Sequence, residues 1–189
     1  MFNNPLEIIA SLLTLIAVLL NAKQSVWGWL FSILGTILYI YIFSEAFLLG
    51  DFLLNIYFLI SSFYGFYAWK FKKIIDKSLE ITRISTKKLF FLFLLAGINA
   101  IFLGKLFSTY PQANLPYLNG ITTSFSIIGQ WLLTQKKLEN WLFWIITNIF
   151  AVGIYVMSNL WATAVLYFFL LLIAIKSFWE WKKIVCKKT

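Results

Sequence analysis

Seven long apolar runs dominate this chain, and its polar positions fall mainly between them. The runs are Leu6–Leu20, Trp29–Phe43, Phe52–Trp69, Leu89–Phe107, Leu118–Thr134, Trp141–Met157 and Trp161–Trp179. An α-helix needs about 20 apolar residues to cross the hydrocarbon of a bilayer, so each run predicts a transmembrane helix, the first a short one. Strands of a membrane barrel would alternate polar and apolar positions, and these runs do not. Asn4 as cap, Pro5 at the first helical position and Glu7 beyond it read as a helix start. The joining segments are short except Lys70–Lys88, and Ser108–Asn119, with Pro111 and Pro116, reads as an exposed turn.

Composition agrees with this reading. Of 189 residues, 61% are hydrophobic and 12% charged, against about 45–50% apolar and roughly a quarter charged in a soluble domain. So short a chain has no room to bury that apolar surface in an aqueous core, which excludes a soluble domain and a disordered segment. With no His and the single Cys186, a disulfide framework and a Cys/His metal site are closed, and no cofactor is implied. The N-terminus lacks a basic region and a small-residue cleavage site, so it is not read as a cleaved signal peptide.

A net charge of +9 would suggest nucleic acid in a soluble protein. Seven spans give it another meaning. Lys23, the cluster from Lys70 to Lys88, Lys136, Lys137 and the C-terminal lysines from Lys182 onward make 14 of the 16 basic residues, and all fall on one side. By the positive-inside rule that side is cytoplasmic, which places the N-terminus outside and the C-terminus inside. No nucleic-acid partner is expected; the lipid bilayer is the partner.

One internal offset stands out. Shifted by 112, Trp29-Leu30-Phe31 falls on Trp141-Leu142-Phe143, Ile33 on Ile145, Phe66 on Phe178, and Trp69-Lys70 on Trp181-Lys182. Each half then has three spans, and an unpaired fourth reverses the chain so that the halves become parallel repeats. The expected fold is an all-α membrane protein of seven transmembrane helices in a 3+1+3 arrangement, which resembles the SWEET sugar transporters. Residues 1–73 form the first three-helix repeat. Residues 74–116 hold the cytoplasmic loop, linker helix and external loop, and 117–189 the second repeat and basic tail.

Polar groups inside spans are costly and tend to face protein or a cavity. On span six Asn140, Trp144 and Asn148 stand at i, i+4 and i+8, one face of a helix. Span five carries Thr123, Ser126, Gln130 and Thr134 along one stripe; span two has Ser32, Thr36 and Tyr39, and span three Asn55 and Ser62. The Ser and Thr positions suit helix–helix glue. The amides of Asn140, Asn148 and Gln130 with the Trp144 indole suit a polar, uncharged or delocalised ligand. A flat cation can stack on Trp144, Tyr39, Tyr57, Tyr64 or Tyr155, whereas Trp27, Trp69, Trp161, Trp179 and Trp181 read as interfacial belt residues.

Glu7, Glu45, Asp51, Glu139 and Glu180 all lie near span ends, so the membrane holds no ionisable relay such as a proton-coupled pump needs. There is no Walker loop and no catalytic set, which favours a uniporter and disfavours an enzyme.

Three stretches, WGWLFSILGTILYIYIF, GDFLLNIYFLISSFYGFYAWK and TTSFSIIGQWLLTQKKLENWLFWIITN, resemble the PnuC family of bacterial vitamin transporters over nearly the whole chain. The span-six E-N-W-x-x-W-x-x-x-N and the Y-G-x-x-x-W ending span three carry the resemblance. It implies a homotrimer in the bacterial inner membrane and facilitated diffusion of nicotinamide riboside, trapped inside by a cytoplasmic kinase. It also implies substrate contacts from Asn140, Trp144 and Asn148, with Gln130 and Asn55 as further candidates. Relatives on this scaffold carry thiamine or riboflavin, and thiamine is also a flat cation. The alternative of another class is a structural or receptor membrane protein whose polar residues are glue.

Overall fold

The computed structural model describes residues 5–45, 49–74, 77–110, 114–159 and 161–187. In them the apolar runs are helices: α1 (Pro5–Ala22), α2 (Trp27–Glu45), α3 (Leu49–Phe71), α4 (Thr86–Phe107), α5 (Pro116–Thr134), α6 (Asn140–Met157) and α7 (Trp161–Cys186). Most helices outrun the apolar stretches because hydrogen bonding, not apolarity, decides where a helix ends. The Ser85 hydroxyl, for example, accepts from the Lys88 N–H, so α4 begins with Thr86-Lys87-Lys88 before its first apolar residue. Helix α1 is described from Pro5 onward; Asn4, its expected cap, lies outside the described residues. The turn expected over Ser108–Asn119 is shorter, since Pro116 already opens α5. Within the long polar loop, β1 (Lys73–Ile74) pairs antiparallel with β2 (Lys77–Ser78).

Six helices among the described residues are long and apolar enough to cross a membrane. The exception is α5, diluted by Asn119, Thr122, Thr123, Ser124, Ser126 and Gln130. The chain divides into two compact units, residues 1–80 and 81–189.

In the first unit α2 packs on α1 and α3. Without a hydrophobic force between helices in lipid, close backbone approach supplies the contact. A Cβ on Gly65 of α3 would stand 2.6 Å from the Trp29 ring, and one on Gly28 would fall on the Asn21 carboxamide. Glycine lets Trp29 seat fully buried, its ring crossing that of Trp69 edge-to-face at 5.2 Å and 89°.

In the second unit α5 packs on α4 and α6, and α6 on α7. A Cβ on Gly120 would stand 2.5 Å from the Ala100 carbonyl oxygen of α4. Beside it Ser124 donates to the Ala96 carbonyl at 2.8 Å and accepts from the Asn99 amide at 3.1 Å. Phe93, Phe125 and Phe143 form an aromatic cluster joining α4, α5 and α6, with Phe93 stacked on Phe143 at 4.7 Å. Ahead of α4, Thr82 bridges in parallel to Lys137 in the turn between α5 and α6.

Local geometry recurs at the offset of 112. Trp141 crosses Trp181 at 5.4 Å and 88°, as Trp29 crosses Trp69. After α1, Gln24 N–H bonds Asn21 O and Ser25 N–H bonds Leu20 O; after α5, Lys136 N–H bonds Leu133 O and Lys137 N–H bonds Leu132 O. These are paired Schellman closures. Both pivot on a left-handed residue, Gln24 at φ 60° and Lys136 at φ 49°. Trp27, Trp161 and Trp179 are exposed, in keeping with a belt. Trp69 and Trp181, read from sequence as belt residues, are buried instead, because each forms one arm of a crossed pair.

Candidate functional site

The polar face of α6 comes out as its spacing predicts. Asn140 opens the helix, fully buried, and Asn148 lies two turns on, also buried; Trp144 between them is half-buried. The rotation of this face is fixed by the neighbouring Phe143, fully buried in the aromatic cluster with Phe93 and Phe125. The side chain at 144 then projects about 100° around the helix from that anchor.

It meets α5 at Gly129. A Cβ on Gly129 would lie 3.2 Å from the Phe143 Cβ and 3.4 Å from the Trp144 Nε1, so the missing side chain lets the indole lie close on α5. The next residue is Gln130, buried. The structure thus brings Trp144 to the part of α5 that carries Gln130.

The hydrogen bonds separate hydroxyls that donate within their own helix from buried polar atoms with no partner among the described residues. Ser126 and Thr134 donate to the carbonyls of Thr123 and Trp131 on their own helix, at 2.9 and 2.7 Å. The single donor of each hydroxyl is thus committed within its own helix. The Asn140 amide nitrogen donates to the Lys137 carbonyl at 2.6 Å, while its Oδ1 is buried and finds no partner among the described residues. The Thr147 hydroxyl is likewise buried without a partner there. Leaving such a group unbonded costs about 1–3 kcal/mol, so it marks where a ligand or water can compensate.

Two contributors escape a sequence reading. Thr147 lies three residues after Trp144 and seven after Asn140, a spacing that puts it on the same stripe. Gly129 carries no signal of its own; its role exists only through the indole that lies on it.

Asn55, Tyr39 and Tyr57 belong to the first unit. Asn55 is buried and donates to the Asp51 carbonyl at 2.9 Å, one turn back on α3. The Tyr39 hydroxyl shares a 2.8 Å hydrogen bond with Ser11 of α1, and its ring stacks on Phe43 at 5.5 Å. Tyr57 tilts against Phe58 at 5.8 Å. In the second unit Tyr155 leans on Tyr167 of α7 at 5.0 Å. These tyrosines have ring partners within their own units.

The chain is similar to known proteins over most of its length. The family profile described as nicotinamide mononucleotide transporter matches residues 4–183. The chain is 22% identical over 201 residues to the nicotinamide riboside transporter PnuC of Escherichia coli (strain K12), covering 93% of this chain and 84% of that protein. To the nicotinamide riboside transporter PnuC of Neisseria mucosa it is 26% identical over 163 residues, covering 82% of this chain and 59% of that one. The crystal structure of the vitamin B3 transporter PnuC matches with a TM-score of 0.74 at 21% identity, over 100% of this chain and 86% of that chain, a likeness of fold.

Proposed function

This chain belongs to the nicotinamide mononucleotide transporter family, a multi-pass membrane protein, and we propose that its own substrate is nicotinamide riboside, carried by facilitated diffusion. The observation that carries the reading is the α6 face: Asn140, Trp144 and Asn148 in line, with Trp144 lying on Gly129 beside Gln130. The chemistry fits the parts of that nucleoside. The indole face receives the flat pyridinium, worth about 0.5–2 kcal/mol as a cation–π contact. The carboxamides of Asn140, Asn148 and Gln130 each offer donors and an acceptor to the ribose hydroxyls and the nicotinamide carboxamide. In the first unit Asn55, Tyr39 and Tyr57 are the candidate contacts.

The seven helices form a 3+1+3 parallel-repeat arrangement in the bacterial inner membrane, with the N-terminus outside and the C-terminus in the cytoplasm. The bridge of Thr82 to Lys137 supports the orientation, because it joins two basic segments assigned to one side. The protein acts as a homotrimer without enzymatic activity of its own. Net uptake is driven by a cytoplasmic kinase that phosphorylates the nucleoside, since the spans hold no ionisable relay to couple a proton gradient.

Titration calorimetry of the purified protein with nicotinamide riboside, thiamine and riboflavin tests the substrate. Binding of the riboside alone is expected; preference for thiamine, which presents the same flat cation, would replace the substrate and keep the site. In proteoliposomes riboside uptake should be indifferent to an imposed proton gradient, and a strong dependence would overturn the uniporter mechanism.

A further inference from the structure

The two Schellman turns are alike inside and different outside. In the first unit, residues 23–27 hydrogen-bond only to their own turn and the helix ends beside it, among the described residues. In the second unit the equivalent turn is overlaid by the segment ahead of α4. Thr82 N–H donates to Lys136 O at 3.1 Å, Leu138 N–H donates to Thr82 O at 2.9 Å, and Lys137 Nζ donates to Thr82 Oγ1 at 2.8 Å.

Glu139 closes this overlay. One carboxylate oxygen accepts from the Ile84 N–H at 3.1 Å and the other from Arg83 Nε at 3.4 Å, across 55 and 56 residues of sequence. The Glu139 side chain is only 3% exposed, whereas that of Arg83 is 61% exposed. Standing just ahead of α6, Glu139 makes no side-chain cap bond to that helix; its carboxylate is committed across the turn. The residue at the equivalent place in the first repeat is Trp27, 65% exposed. Among the described residues the clasp has no counterpart there.

Next to Glu139 is Asn140, whose amide nitrogen bonds Lys137 O inside the clasped turn and whose Oδ1 is left buried and unbonded. The end of α6 that begins the ligand face is therefore the end the clasp holds. We propose that Glu139, with Arg83, is a positioning residue: it fixes the inner turn of the second repeat, and with it Asn140 and the register of the α6 face, while the equivalent turn of the first repeat is left free to open. The affinity arm of its test rests on the α6 site proposed above; the exchange arm does not.

The test is amide hydrogen exchange on the full-length protein in lipid nanodiscs, paired with nicotinamide riboside titrations. Residues 135–139 of the unaltered protein should exchange about tenfold or more slowly than residues 23–27, since each opening must break the bridge to residues 82–84. Glu139→Ala should erase that difference and weaken riboside binding about tenfold, because it leaves the Ile84 N–H and the turn without their acceptor. Arg83→Ala should give a smaller loss in both readings with an unchanged unfolding midpoint, and Arg83→Lys should restore both. If Glu139→Ala fails to fold, the two Arg83 variants carry the same comparison, Arg83 itself being exposed. Equal exchange in the two turns of the unaltered protein would overturn the proposal, as would full riboside affinity in a variant whose turn has been released. Failure of the unaltered protein to bind riboside would remove the substrate reading, and the exchange comparison would then decide the clasp alone.

Discussion

The two units have a tryptophan crossing and a helix-ending turn in common and differ in the side chains beyond them. Trp29 crosses Trp69 at 5.2 Å and 89° and Trp141 crosses Trp181 at 5.4 Å and 88°, and the turns after α1 and α5 close with the same bonds. The helix faces beyond those turns differ. Where α6 presents Asn140, Trp144 and Asn148, the equivalent positions of α2 are Gly28, Ser32 and Thr36, and Val18 stands where α5 has Gln130. At these positions the amides and the indole stand only in the second unit. Positions that agree at the offset, Trp29 with Trp141 and Trp69 with Trp181, are those that seat helices on one another.

The largest test addresses the shared part. Trp29→Ala and Trp141→Ala should each cost about 3–5 kcal/mol of unfolding free energy, as deletion of a fully buried aromatic does. Reversible unfolding in mixed micelles measures it, and the two losses should agree within about 1 kcal/mol, since the crossings do. A loss confined to one repeat would mean that the like geometry conceals unlike energetics.

Next comes the divergent part. Trp144→Ala should weaken nicotinamide riboside binding at least tenfold, roughly 1.4 kcal/mol, in a calorimetric titration. Its counterpart Ser32→Ala should change affinity by less than about twofold, as a small hydroxyl contributes little between helices. Unchanged affinity in Trp144→Ala would remove that residue from the site.

Sequence alone exposes much of this and hides the rest for identifiable reasons. The helices are legible because each apolar run is about as long as a bilayer is thick, and the repeat because tryptophans are too large to be exchanged freely in a seam. The same tryptophans mislead at Trp69 and Trp181, since an indole at a span end looks alike whether it faces lipid or crosses a partner 40 residues away. The α6 face is legible from i, i+4 spacing. Gly129 and the Arg83–Glu139 pair are not, because a glycine's contact and an ion pair 56 residues apart have no local pattern.

Glycine also sharpens the comparison within the scaffold. The residue equivalent to Gly65 is Ser177, buried, with its hydroxyl bonded to Ile173 O at 2.6 Å. The second repeat therefore accommodates a Cβ where the first does not, as a Cβ on Gly65 would be 2.6 Å from the Trp29 ring. Gly65→Ser, which copies one repeat into the other, should cost about 1–3 kcal/mol by overpacking. Ser177→Gly should cost less, about 1 kcal/mol, as a helix-interior glycine does. Thermal unfolding of both variants in one detergent would expose equal losses if the two seams were equivalent.

The smallest effect bears on the site boundary. Gly129→Ala adds a methyl 3.2 Å from the Phe143 Cβ and 3.4 Å from the Trp144 Nε1. Phe143 is held by Phe93 and Phe125, so it has little room to yield, and the strain is relieved by a small shift of α5 against α6 that alters the seat of the indole. A shift of a few tenths of an ångström at one ligand contact should weaken riboside binding about two- to threefold, with stability changed by less than about 1 kcal/mol, as for a modest overpacking. Ser126→Ala serves as its control on the same helix. That hydroxyl is spent on Thr123 O at 2.9 Å, so its loss should leave affinity unchanged. Calorimetry on the pair separates two readings of α5: if Ser126→Ala weakens binding more than Gly129→Ala does, the ligand lies along the hydroxyl stripe and not against the indole.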